Sequence, residues 1–493
     1  MKKDNVKSNF IFQMVYQVVT LMIPLIIAPY LTRTLGDKSL GIYTFTFSIM
    51  SCFMTIARLG IDKHGQRVIA AASDNHEKLR ITFWSLYFVH VLFTILALVL
   101  YICFVTLFFR KYYIICLIQG LALFGVIFDI TWFFYGIENF KFIVLENLCV
   151  KISELLLIFV LVKNSCDLNV YTFIMSISIC IGYLVVLPYA IKNVKPIRFT
   201  LKDVEQHLKP LCILFFAVLA ITAYQMIDKT LLGLLSTEAN VAYYEYANKI
   251  VNVPVNLVYV TGTVFMPRAC AYAAKGDLNN QIKYMNFSLH FVCFLGFGAM
   301  FGFLSVANLF SIIYYGKNFA YCGGVIMLLC PVIILLGIEN VIRTQFMIPN
   351  QMDKQFTSCI VITTIVNLIL SAILVPIIGV YGAVIGTLTA ELICTIIQLM
   401  LCQNVLPVKK ILLTSYPYLI AGAIMFVIIN IIKIKFNFTI WHLLLQIVIG
   451  GLCYCIVCGY YIFFFSDIKN IVRFEVKKFM NKYKIKKCLD FGE

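Results

Sequence analysis

Apolar runs of about 20 residues, the length an α-helix needs to cross the hydrocarbon of a bilayer, follow one another along the whole chain, and only short polar stretches separate them. Cutting at those stretches predicts fourteen helices. The first seven are Phe10–Thr32, Ser39–Gly60, Ile81–Phe109, Tyr112–Tyr135, Phe142–Val162, Val170–Ala190 and Leu211–Leu235. The second seven are Tyr243–Met266, Met285–Phe310, Cys322–Ile348, Thr357–Val375, Val380–Cys402, Leu413–Ile432 and Ile440–Phe465. Alternation with period two is absent, so the expected class is an all-α integral membrane protein.

Composition agrees. Of 493 residues, 62% are hydrophobic and 13% charged, against about 45–50% and about 25% in soluble domains. No water-soluble fold hides that surplus of apolar surface. The first run is longer than a signal-peptide core and no small-residue cleavage site follows it, so it reads as a retained span. The eighteen cysteines sit mostly inside apolar runs, where a thiol is a small hydrophobe. Cys453, Cys455 and Cys458 have no histidine or carboxylate among them and read as lipid-length helix, not as a metal site.

The net charge of +17 points to anionic headgroups and not to nucleic acid, because the cations collect in loops and in the tail Lys469–Lys487. With the N-terminus inside, alternate loops hold 27 Lys and Arg on the cytoplasmic side and 8 on the outer side. A miscounted span would have erased that bias. The expected location is a bacterial cytoplasmic (plasma) membrane, crossed many times, with both termini cytoplasmic.

A weak repeat sets the expected organisation. Leu35-Gly36 through Tyr43 joins helices one and two, and Leu235-Ser236 through Tyr243 joins helices seven and eight with the same spacing. Two six-helix lobes related by a parallel pseudo-two-fold repeat, plus two C-terminal helices, account for it. The corresponding boundaries are 1–200, 201–405, 406–465 and a basic tail, 466–493. Parallel repeats of this kind place a substrate path between the halves.

Polar side chains inside spans carry the functional reading, since each costs free energy unless it meets a partner or water. On the eighth span Glu245, Asn248, Lys249, Asn252 and Asn256 fall in one helical sector about 100° wide. The second span carries Thr44, Ser48, Ser51, Thr55 and Arg58; the first carries Asn9, Gln13, Gln17 and Thr20; the seventh carries Tyr224, Gln225 and Asp228. A shared aqueous cavity explains all four stripes, while Ser and Thr alone also serve as glue between helices. Further intramembrane charges are Asp129, Glu146, Lys151, Glu154, Lys229, Glu339, Arg343 and Glu391. Glu245/Lys249 and Glu339/Arg343 have the i,i+4 spacing of helical ion pairs. Lys151 with a carboxylate is either a structural pair or the neighbour of a protonatable group. The candidates for binding a coupling ion, H+ or Na+, are Asp129, Glu154, Asp228, Glu245, Glu339 and Glu391. No metal or organic cofactor is expected.

The stretches Ala28–Phe45 (APYLTRTLGDKSLGIYTF), Ile227–Ile250 (IDKTLLGLLSTEANVAYYEYANKI) and Gly379–Glu391 (GVYGAVIGTLTAE) resemble polysaccharide-biosynthesis flippases of the Wzx type. These belong to the superfamily that also contains MATE drug exporters and peptidoglycan lipid flippases. The resemblance implies a lipid-linked oligosaccharide on an undecaprenyl diphosphate anchor, moved from the cytoplasmic to the outer leaflet by alternating access. It is not an enzyme in this reading. Its partners would be that substrate, membrane lipids, and the polymerase and glycosyltransferases of capsule, O-antigen or exopolysaccharide assembly. The basic positions that would meet the diphosphate are Arg33, Arg58, Lys229, Lys249 and Arg343. The Asn and Thr stripes suit sugar hydroxyls, and Gln13, Gln17, Asn248, Asn252 and Asn256 complete the candidate substrate cavity.

Two rivals remain. A multidrug exporter of the same fold would want an anionic, aromatic site, which Asp228, Glu245 and Asp129 favour and Lys229 and Lys249 oppose. A membrane-embedded polymerase or transferase would want a large loop or a His/Asp pair at the membrane surface, whereas His64, His76 and His207 are scattered through polar loops.

Overall fold

The computed structural model describes residues 6–403, 405–406, 408–433 and 440–464, and every regular element among them is helical. The helices are α1 (Val6–Thr34), α2 (Gly36–Arg58), α3 (Ile61–Ala72), α4 (His76–Phe108), α5 (Tyr113–Gly125) and α6 (Thr131–Gly136). There follow α7 (Phe140–Leu161), α8 (Leu168–Asn193), α9 (Leu201–Leu235), α10 (Glu238–Ala274), α11 (Leu278–Tyr315) and α12 (Cys322–Leu329). The last are α13 (Pro331–Ile342), α14 (Asp353–Ile378), α15 (Val380–Cys402), α16 (Val408–Lys433) and α17 (Ile440–Phe464). The basic tail lies outside the described residues, as do the side chains of Gln13 and Gln17 on α1.

Twelve helical stretches among the described residues are apolar and long enough to cross a membrane. The expectation of fourteen needs two more. One is α1, of which Val19–Thr34 forms the apolar part. The other is α7, 22 residues long but interrupted by Lys141, Glu146, Lys151 and Glu154.

The helices are sided the way lipid requires. Along α4, Phe88, Leu92, Ile95, Leu96 and Val99 are exposed while Ser85, His90, Thr94 and Ala97 are buried. Small and polar groups turn inward, where they find partners, and long aliphatic ones turn outward, which inverts the amphipathic helix of a soluble protein.

Two expected spans are interrupted, and a third ends in a sharp bend. Tyr112–Tyr135 divides at Asp129, whose extended backbone (φ −72°, ψ 106°) separates the turn after α5 from α6. The Asp129 carboxylate restarts the helix by accepting from the Thr131 amide and hydroxyl at 3.0 and 2.7 Å, which satisfies donors that a helix start leaves open. Cys322–Ile348 divides before Pro331, which opens α13 without needing an amide hydrogen. It then widens into a π-helical turn, Arg343–Met347. Beyond α2 the chain turns sharply through Leu59 and Gly60, at φ 45° and 72°, into the short helix α3.

Packing divides the described chain into two compact units. One takes in the residues up to Tyr246, with Tyr314–Tyr321 and Leu368–Gly386. Its core includes Ile69, Phe83, Leu86, Trp132, Phe133 and Phe134. The other takes in Ala247–Ile313, Cys322–Asn367 and the residues from Thr387 onward. Val258, Leu289, Val292, Tyr418 and Tyr454 lie in its core.

Candidate functional site

In the first unit, Arg58 stands on the last turn of α2, just before the Leu59-Gly60 bend. Its Nη2 donates to Asp129 Oδ2 at 2.9 Å and to the Tyr183 hydroxyl at 2.6 Å. Its Nη1 lies 3.8 Å from Asp62. Asp129 is itself immobilised by Thr131, and the Trp132 ring nitrogen donates to its carbonyl at 3.2 Å. Three elements thus hold one guanidinium. Its side chain is 30% exposed while Asp129 is 3% exposed, so the cation is anchored from behind and partly reachable, with its Nε buried and unpartnered. A guanidinium supplies the charge and N–H donors that bind phosphate oxygens.

A second cluster joins α9 to α10 in the same unit. Two consecutive residues of α9 meet two consecutive residues of α10. Lys229 Nζ lies 2.6 Å from Glu245, and the Tyr244 hydroxyl donates to Asp228 at 2.7 Å. Ser371 donates to the other Asp228 oxygen at 3.3 Å. Glu245 therefore reaches Lys229 on a neighbouring helix as well as standing one turn from Lys249 on its own. On α7, Lys151 and Glu154 form an ion pair at 2.8 Å, with the carboxylate buried. Arg33 is exposed at the end of α1, its stem packed against Gly316.

The α2 stripe is a seam. Ser48 bonds Thr230 and Thr55 bonds Thr222, each at 3.2 Å, while Ser51 bonds back to the Phe47 carbonyl. Periodicity alone gives the same pattern for a wet face and a glued one, and the threonines of α9 decide between them. On α10, Asn248, Lys249 and Asn252 are half-buried and Asn256 is exposed.

In the second unit, the Thr395 hydroxyl donates to Glu339 at 2.9 Å and also lies 2.9 Å from the Glu391 backbone carbonyl oxygen, which brings the two acidic residues side by side. Arg343 does not take up its i,i+4 position beside Glu339. No ion pair joins the two among the described residues. The guanidinium instead lies over the rings of Phe356 and Tyr259, 5.5 and 6.0 Å from their centroids, at the residue where the π-helical turn begins. The site residues therefore gather in separate groups: Arg58 with Asp129, Asp228 with Lys229 and Glu245, Lys151 with Glu154, and Glu339 with Glu391.

Pattern reading passed over Tyr183, Asp62 and the buried His90 beside the Arg58 group. The available signal was Asp129-x-Thr131 within an apolar run, a helix-start pairing where no loop was expected.

Residues 6–272 match the family model described as polysaccharide biosynthesis protein. The chain is 24% identical over 407 residues to a putative O-antigen transporter of Escherichia coli (strain K12), covering 82% of this chain and 98% of that protein. It is 23% identical to the putative O-antigen transporter of Shigella dysenteriae, covering 80% and 99%. Among solved structures it superimposes on the lipid II flippase MurJ in an inward closed conformation with TM-score 0.75 and 18% identity, covering 92% of this chain and 99% of that one. An inward-facing MATE family multidrug transporter of the MOP superfamily gives TM-score 0.58 at 12% identity, covering 81% and 96%.

Proposed function

This chain belongs to the polysaccharide biosynthesis protein family, and from that premise we propose that it moves an undecaprenyl-diphosphate-linked oligosaccharide from the cytoplasmic to the outer leaflet by alternating access. Transport and flipping of lipid-linked oligosaccharides are the family's business at the coarse level. The observation that supports the finer reading is Arg58: a partly exposed guanidinium held by Asp129 and Tyr183, a cation that an incoming diphosphate can draw to itself. Within the second unit, Lys249, Asn248 and Asn252 offer a cation and amides of the kind that suit a phosphorylated sugar lipid, whose acyl chain stays in the bilayer. The buried carboxylates serve as coupling groups in this reading. An exporter of organic cations fits less well, because the partly exposed group at Arg58 is itself a cation.

The reading predicts that deleting the gene stops export of a surface polysaccharide and accumulates its lipid-linked precursor in the cytoplasmic leaflet. Lys249→Ala and Arg58→Ala should each lower export at unchanged protein abundance. Normal export from the deletion strain would refute the transport assignment, and full export by either variant would remove that residue from the headgroup site.

A further inference from the structure

His90 lies on α4, 2% exposed. Its Nε2 is 2.7 Å from the Val126 carbonyl oxygen. A carbonyl only accepts, so Nε2 carries the hydrogen and the neutral ring is left with a lone pair on Nδ1. That atom is buried and has no hydrogen-bond partner. An orphaned acceptor in a low-dielectric interior is costly, and here it sits at an unusual place. Val126 opens the turn that leads into Asp129, and the ring is within the electrostatic reach of Asp129, Arg58 and Asp62.

Those three groups sum to one negative charge when ionised, and a proton on His90 would bring the cluster to neutrality. The remaining titratable groups nearby are Tyr183 on α8, Tyr87 on α4, Glu146 on α7 and His207 on α9. Tyr183 bonds Arg58, and the Tyr87 ring lies 6.4 Å from the His90 ring. Glu146 acts electrostatically on Asp129, and His207 bonds Ser85 farther along α4. None of them donates to Nδ1.

We infer that His90 is a positioning residue for headgroup capture: it takes a proton onto Nδ1 when a diphosphate draws Arg58 away from Asp129. While Arg58 holds Asp129, the carboxylate is balanced and a second cation beside the guanidinium is repelled. Once Arg58 turns to the headgroup, Asp129 keeps its charge and its Thr131 bonds but loses its cation. Its field then favours the imidazolium. The proton comes from water and adds to the Nδ1 lone pair, and no covalent bond in the protein breaks. Headgroup binding and proton binding strengthen each other by the same factor, as linkage demands. The inference rests on the flippase reading and on Arg58 as its headgroup ligand.

The test uses the purified full-length protein in detergent with undecaprenyl diphosphate as the probe. Affinity is measured from about pH 5.5 to about pH 8.5, a range that brackets ordinary histidine titration. Wild-type affinity should fall as pH rises, by up to about tenfold per pH unit where one proton is linked. His90→Gln keeps an amide to donate to the Val126 carbonyl and should show one affinity across the range. A wild-type slope in that variant overturns the proposal. Should the variant fail to fold, proton uptake on adding the probe to wild-type protein in weak buffer decides, and no uptake overturns the proposal. Arg58→Ala should lose binding at every pH. Wild-type binding by it would instead overturn the assignment of the headgroup to Arg58, so the two failures are distinct.

Discussion

Lys229 on α9 and Glu245 on α10 meet at 2.6 Å, side by side with the contact between their sequence neighbours Asp228 and Tyr244. Both charged side chains are largely buried, at 14% and 16% exposure. Removing one partner strands the other charge away from water, which costs roughly 3–5 kcal/mol, whereas replacing both costs far less. Lys229→Met should therefore lower the thermal midpoint in detergent clearly, and Lys229→Met combined with Glu245→Gln should recover most of it. Equal loss in the single and double variants would show that the pair is not coupled.

Gly41, in the early part of α2, is where the fold leaves no room for a side chain. A Cβ there would fall into the backbone carbonyl of Glu238 at the start of α10. Backbone cannot swing aside as a flexible side chain can, so Gly41→Val should cost at least the 1–3 kcal/mol typical of overpacking and reduce folded yield. Gly302 on α11 is the control, since a Cβ there meets nothing within 4 Å. Gly302→Ala should raise the midpoint slightly, by up to about 1 kcal/mol from helix propensity. A Gly41→Val protein that melts like wild type would contradict the close α2–α10 approach.

Much of the fold was legible because lipid imposes one length on every crossing segment. The limits of α15 and the last turns of α4 and α9 follow from apolar runs alone, whereas α4 and α9 begin at His76 and Leu201, in polar sequence ahead of the expected Ile81 and Leu211. What escaped were features that leave the apolar run intact. Asp129 breaks a helix by bonding to Thr131 two residues on, inside a stretch that still reads as continuous hydrocarbon. The π-helical turn at Arg343 has no compositional mark, and the rings of Phe356 and Tyr259, not Glu339, take its guanidinium. For α2 the stripe itself was correct, but Thr222 and Thr230, more than 160 residues away in sequence, turn its polar face into a seam.

Asp277 gives a prediction about pH at a loop clear of the spans. Its carboxylate accepts from the Asn280 amide at 3.1 Å and from the Asn280 side chain at 2.7 Å, capping the start of α11. Those bonds to Asn280 hold its carboxyl below the usual carboxylate range. A group depressed on folding stabilises at neutral pH, and its contribution is lost as pH falls through the folded value. The first turn of α11 should therefore exchange its amide hydrogens faster, after correction for intrinsic rates, once pH drops below about 4. Asp277→Asn should abolish that change. Persistence of the same acid response in the variant would place its origin elsewhere.

Arg58→Lys separates charge from geometry at the proposed headgroup site. Lysine keeps the positive charge, but its single ammonium lacks the planar pair of donors that Arg58 can turn to a diphosphate. Asp129 stays tied to Thr131 and the α6 start is preserved, so the variant should fold and melt near wild type. Transport of an undecaprenyl-diphosphate-linked sugar in proteoliposomes should nevertheless fall by roughly tenfold or more, the scale of one lost charge-assisted hydrogen bond. The loss should appear as weaker apparent affinity for the lipid, because Arg58 acts on binding. Wild-type transport by Arg58→Lys would mean that the site needs only a positive charge at this position and that the Asp129–Tyr183 framework serves the fold alone.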